Sequence, residues 1–273
     1  MAEQPAIDPM HQFLVHKISW LPPIVVGGVD LSITNSIFTL LVGTLLLMIF
    51  IAVTARGQIV PNRGQAAVEA LYGIIDKVLV GPIIGHGGKP YIPFVFTIFM
   101  LILTLNLMSV VLAIGNIGGL ELTFAVTSQL AVTATLALIT FLSVFILGFI
   151  KHGPKFLSLF WVPGMGIFGG AAMVVIEMIS YFVRPITLAM RLFGNILGGH
   201  VVMSLFGSFV IALAIVGLSG GLASLAFIPS VLSFSMIVAL SGLELVVAVL
   251  QAFVFTALAT VYLNEVVNFG HGH

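Results

Sequence analysis

The sequence contains no cysteine. Disulfides, thiolate metal sites and iron–sulfur clusters are therefore excluded together. Charge is nearly as scarce: 7% of the 273 residues are Asp, Glu, Lys or Arg, where a soluble domain carries roughly a quarter. Nine basic residues balance nine acidic ones, so there is no electrostatic footprint for a nucleic acid. No GxxxxGK stretch occurs, so no phosphate loop and no bound nucleotide cofactor are expected. The opening MAEQPAIDPMHQF has neither the basic region nor the short apolar core of a cleaved signal peptide. The first spanning helix is expected to act as its own insertion signal.

What fills the space left by charge is apolar. Hydrophobic residues make up 60% of the chain and the mean hydropathy is +1.27, values of a protein that lives in lipid. A helix needs about 20 apolar residues to cross the hydrocarbon core. Such runs lie at 31–54, 91–115 and 127–150. Two longer ones follow, at 167–216 and 222–265. Each of those exceeds a perpendicular crossing, so it is expected to be steeply tilted, bent at Pro185, or broken into pieces. The stretches GIFGGAA and GLSGGLAS mark close backbone approach or a turn. The reading is a single all-α integral membrane domain with about five membrane-embedded helices, the last two long and tilted, behind an external N-terminal segment at 1–30.

Residues 64–80 behave differently. Val68, Leu71, Tyr72, Ile75, Val78 and Leu79 recur at helical spacing, with Glu69, Asp76 and Lys77 off that face. This predicts an interfacial amphipathic helix, although an extramembrane packing helix fits the pattern equally well. Arg56, Arg63, Lys77 and Lys89 fall in one connection, Lys151 and Lys155 in another. The connections near 115–126 and 206–225 hold no lysine or arginine, and the N-terminal tail has only Lys17. By the positive-inside rule the N-terminus is expected outside and the C-terminus inside.

Few ionisable groups remain within the spans. Glu177, Arg184, Arg191 and His200 lie in the fourth region and Glu244 in the fifth, and such residues mark ion pathways or proton relays. Glu177, Ser180, Arg184, Thr187, Arg191 and Asn195 follow at intervals of 3, 4, 3, 4 and 4. At about 100° per residue they share one stripe about 27 Å long. His200, nine residues past Arg191, points to the other side. Glu244 and Gln251 are seven apart and share a face. Two antiparallel helices can thus bring His200 and Glu244 into one polar pocket. Blander roles exist for several of these groups. Arg184, beside Pro185, is expected to snorkel to the cytoplasmic interface. Glu177 can simply pair with a basic neighbour, and His200 can be a hydrogen-bonded packing residue. The terminal HGH, with His271 and His273, reads as a solvated tail, and no metal site is expected.

The run RPITLAMRLFGNILGGH at 184–200 strongly resembles the signature of subunit a of the F-type ATP synthase. PNRGQAAVEALYGII, NLM at 106–108, TSQLAVTATLAL, HGPKFLSLF and LQAFVFTALATVYL extend the resemblance along most of the chain. The TSQLAVT form is closer to the alphaproteobacterial and mitochondrial branch. The resemblance implies that Arg191 is the family's essential arginine and that Gln251 is its partner on the last helix. Asn195 then lines the outer half-channel, and His200 with Glu244 forms an acid–histidine pair whose order is exchanged in some members. Glu177 lies near the cytoplasmic access route, with Arg184, Ser180 and Thr187 in support. Two positions depart from the pattern: Ser109 follows NLM where some members have an acid, and Gln129 replaces an aspartate.

The implied partners are a ring of subunit c, subunit b of the peripheral stalk, the other ATP synthase subunits, the lipid bilayer and protons. The implied place is a bacterial inner membrane. The chain would not be catalytic alone. Its mechanism would pass protons through two half-channels to and from ring carboxylates, with Arg191 barring a direct leak. A sodium-translocating version of the same subunit is the nearest alternative. A secondary transporter would show inverted repeats, which the halves of this sequence lack. A structural scaffold leaves the polar stripe without a role.

Overall fold

The computed structural model of the chain describes residues 25–26, 29–30, 32, 34–55, 57–112, 126–160, 167–218 and 220–268. Most of the expected external segment with Lys17, Arg56, the connection at 113–125 and the tail histidines His271 and His273 lie outside them.

A chain in lipid must satisfy its backbone internally, which leaves helices as the economical solution for long apolar runs. The architecture is all-α: α1 (Asn35–Thr54), α2 (Arg63–Ile74), α3 (Gly81–Ile84), α4 (Ile92–Leu112), α5 (Leu130–His152), α6 (Ile167–Leu218) and α7 (Phe227–Val267). The sole strands among the described residues are two-residue pieces, Val25–Val26 and Val29–Asp30, paired antiparallel with Val25 opposite Asp30. Among the described residues, five helical stretches are long and apolar enough to cross a membrane: Asn35–Thr54, Gly87–Val110, Leu130–Ser158, Ala172–Leu218 and Phe227–Val267. Hydroxyls inside them bond back to the preceding turn, as in Thr39 to Asn35, Thr140 to Leu136, Thr256 to Ala252 and Thr260 to Thr256. These polar side chains therefore need no outside partner.

Of the three options for the fourth region, breakage is ruled out. α6 runs unbroken for 52 residues with Pro185 inside it, and α7 for 41. At 1.5 Å per residue these helices are about 78 and 61 Å long, far beyond a hydrocarbon core of about 30 Å.

The amphipathic segment is a helix in two registers. Asn62 caps α2 by accepting from the Arg63 N–H at 2.6 Å, and at Ile75–Val80 the helix widens into a π turn. Ile75, Leu79 and Val80 are buried, while Tyr72 and Val78, which simple spacing puts on the same apolar face, are exposed. The extra residue in a π turn rotates the side chains that follow its start, Val78 among them, and leaves Tyr72 before it unaffected. Tyr72 still packs edge-on against Phe96, ring centroids 5.4 Å apart.

The chain divides into two compact units, and α1, α4, α6 and α7 each contribute to both. One comprises 1–43, 105–129 and 193–250. In it α6 and α7 pair antiparallel: Gly199 and His200 meet Glu244, Met203 meets Ser241, Val210 meets Ser230 and Gly217 meets Phe227. The other comprises 44–104, 130–192 and 251–273. Its core includes an aromatic cluster of Phe141, Phe145, Phe160 and Tyr181, joined by Phe149 and Phe156. Gly148 makes room for the last: a Cβ there would lie 2.6 Å from the Phe156 ring. The C-terminus of α7 leaves carbonyls without helical donors. Lys151 Nζ donates to the Val267 carbonyl and His152 Nε2 to that of Val266, both at 2.8 Å.

Candidate functional site

Two groups of polar residues stand out, one in each unit. In the first, Asn106 and Ser109 come from α4, His200 from α6 and Glu244 from α7, and all four are buried. The His200 Nε2 lies 3.6 Å from Glu244 Oε1 and 3.5 Å from Ser109 Oγ. The Asn106 amide donates to the Ala248 carbonyl at 3.1 Å, tying α4 to α7 one turn past Glu244. Neither Glu244 oxygen has a hydrogen-bond partner among the described residues, nor has Asn106 Oδ1. An unsatisfied buried carboxyl is costly, and this one sits beside an imidazole able to share its proton. Gly199 makes the fit possible, because a Cβ there would stand 2.8 Å from Glu244 Oε1.

The second group centres on Arg184. It is half-buried and paired. Its Nη1 donates to Glu265 Oε2 at 2.5 Å and its Nη2 is 3.8 Å from Glu177 Oε1. The guanidinium carbon lies 5.1 Å from the ring centre of Tyr181 and 5.2 Å from that of Tyr262. One hydrogen-bonded carboxylate, a second acid nearby and two rings on α6 and α7 surround the charge, a setting that stabilises a guanidinium. Glu265 carries the close contact, and nothing in simple periodicity singles it out. It lies near the end of the last apolar run, where an acid reads as solvated.

Arg191 has none of this. It is exposed, and no carboxylate pairs with it among the described residues. Ser180, Thr187 and Asn195 are exposed too, Glu177 and Arg184 half-buried. The packed side of α6 is instead Tyr181, Leu188, Ala189, Leu192 and Ile196, with His200 below them. Val183, Ile186 and Met190 are exposed further round the helix from Arg191. Gln251 on α7 is half-buried. The stripe expected from spacing is therefore mostly on the uncovered side of its helix, with Arg184 reaching Glu265 and Tyr262 of α7 and Glu177 near Arg184 on α6 itself. Ser109, a departure from the resemblance pattern, proves to be a neighbour of His200. No cluster of His, Asp or Glu able to hold a metal occurs among the described residues.

Comparison with known proteins agrees along the chain. The family profile described as ATP synthase A chain matches residues 36–264. "ATP synthase subunit a" of Pelagibacter ubique is 40% identical over 267 residues, covering 97% of this chain and all of that relative. Those of Rhizobium johnstonii and Beijerinckia indica are also 40% identical, covering 97% and 99% of this chain and 99% and 100% of theirs.

Proposed function

The chain belongs to the ATP synthase A chain family, and we propose that within that complex it is the proton-translocating stator, passing protons through two half-channels to the carboxylates of a rotating c-ring. As a member it is a multi-pass membrane subunit of an ATP synthase and a component of its ion-transport machinery.

One observation carries the proposal: Arg191 is an uncovered charge on a long, largely apolar helix, with no carboxylate paired to it among the described residues. Left against lipid it would cost several kcal/mol. Against a ring of membrane-buried carboxylates the cost becomes a gain. A guanidinium is always charged, and at about 4 Å and an effective dielectric of about 20 it favours an ionised carboxylate by roughly 4 kcal/mol. That is enough to drive a proton off each arriving ring site. The same charge repels a hydronium crossing directly between the half-channels, so protons pass only as the ring turns.

Around it the other groups take roles. His200 and Glu244, 3.6 Å apart, relay protons in the outer half-channel, with Ser109 beside them and Asn195 on the uncovered face. Gln251 supports Arg191, and Glu177 leads to the cytoplasmic exit, with Ser180 and Thr187 on the same side. The loop charges orient the N-terminus to the periplasm and the C-terminus to the cytoplasm of a bacterial inner membrane. Subunit b and the lipid cover faces away from the ring.

The test is Arg191→Ala in the assembled enzyme. ATP-driven acidification of inverted vesicles, with sodium absent, is expected to vanish while the complex still assembles. Loss of assembly instead would indicate a scaffold. A parent enzyme that acidifies only when sodium is supplied would indicate a sodium carrier.

A further inference from the structure

The half-channel reading gives Glu177 a task but leaves Arg184 and Glu265 without one. Tyr181 and Arg184 are one turn apart on α6, Tyr262 and Glu265 one turn apart on α7. With the two rings flanking the guanidinium, its donors are left for carboxylates. There are two of these for one positive charge. Nη1 is hydrogen-bonded to Glu265, whereas Nη2 stands 3.8 Å from Glu177, beyond hydrogen-bond reach. Glu177 is also the more exposed acid, 37% against 31% for Glu265.

Glu177 and Arg184 sit two turns apart on one face of α6, and their side chains already nearly meet. The guanidinium cannot be discharged, and its fork fits one carboxylate at a time when both contacts are made. What keeps it from closing on Glu177 is that Glu265 already holds it.

We propose that Glu265 is a positioning residue that occupies Arg184 and so keeps Glu177 out of a locked ion pair, free to take up and release the exiting proton. The inference rests on the reading of Glu177 as the exit group. In the synthesis direction a proton released from a ring carboxyl binds a Glu177 oxygen and leaves to cytoplasmic water. In pumping the order reverses. Arg184 and Glu265 keep their charges throughout. Without the Glu265 carboxylate, Arg184 has Glu177 as its sole acidic neighbour among the described residues, and every turnover must break that pair.

The test uses the purified, reconstituted ATP synthase, with ATP-driven acidification and proton-driven ATP synthesis expressed per assembled complex. Glu265→Gln is expected to slow both about tenfold, the scale of one new charge-assisted hydrogen bond at Glu177. Glu265→Asp, which keeps the charge, should stay within about twofold, a small barrier change. Adding Arg184→Gln to Glu265→Gln removes the trapping charge and should restore most of the rate, which a merely structural bridge would not allow. A double variant no faster than Glu265→Gln, or an Asp variant as slow as the Gln one, overturns the proposal. Should Glu265→Gln assemble too poorly to assay, Glu265→Met alone and with Arg184→Met take the same places, since apolar residues of similar volume commonly replace buried ion pairs without loss. Parental pumping by Glu177→Gln sinks the exit reading itself. A slow Glu177→Gln without recovery in the double variant sinks only the role of Glu265.

Discussion

Seven residues separate Arg184 from Arg191 on α6, and they differ in what surrounds them. Arg184 meets Glu265 and two tyrosine rings, whereas Arg191 has no acid among the described residues. The sequence alone could place both on one stripe, because spacing reports the face of a helix. It could not tell them apart, because spacing is silent on the neighbour opposite. Ser109 was opaque for the same reason: a serine in an apolar run reads as locally satisfied, and its distance of 3.5 Å from His200 depends on how α4 packs. A glycine offers the sharper test at this scale. In Gly199→Ala the new Cβ meets the tip of Glu244, a flexible end that gives way, so assembly should survive and the helix itself gains propensity. Displacing the carboxyl from His200 is expected to slow ATP-driven acidification by about ten- to a hundredfold, the usual cost of an ångström-scale misplacement. Adding Glu244→Asp, shorter by one methylene, should return part of the rate. Parental acidification by Gly199→Ala would mean that the position of the carboxyl is immaterial.

At the level of elements, hydropathy carried most of the information. Five long apolar runs became the five helices able to cross a membrane, because lipid leaves a run of Leu, Ile, Val and Phe no other backbone solution. Continuity was less visible. Pro185 removes one helical hydrogen bond, yet α6 continues through it for 52 residues; flanking turns in a packed helix tolerate that single loss. The π turn at Ile75–Val80 was also hidden, since one inserted residue changes register without changing composition. Interactions at helix ends are the least legible of all, because both partners lie far apart in sequence. Lys151 and His152 on α5 supply the donors missing at the end of α7, where a positive charge also complements the helix dipole. Lys151→Met is expected to cost about 1 kcal/mol, the net worth of a partly exposed hydrogen bond. It would be read as a lower temperature at which the assembled complex releases this subunit. An unchanged release temperature would show that water caps the helix equally well.

For the whole molecule, the proposed stator role raises the question of which parts would stay still while a partner ring turned. A stator that fixes one charge against moving sites should have rigid helix packing, with motion confined to protons, side chains and the partner ring. In the unit containing 193–250, α6 and α7 meet at Gly217 and Phe227, Val210 and Ser230, Met203 and Ser241, and His200 and Glu244. Those contacts recur about every one to two turns along this stretch and hold one antiparallel register. A secondary transporter built on the same five helices would instead move one group of helices past another at every cycle. The absence of cysteine from all 273 residues makes this difference measurable without background thiols from this chain. Met203→Cys with Ser241→Cys replaces side chains whose Sδ and Oγ lie 3.5 Å apart. Bridging the pair with a short bifunctional thiol reagent should go nearly to completion and leave ATP-driven acidification within about twofold of the unbridged protein, a barrier change under half a kcal/mol. If bridging arrests pumping and cleavage of the reagent restores it, α6 and α7 move during turnover, and the proposal of a fixed charge on a rigid stator fails.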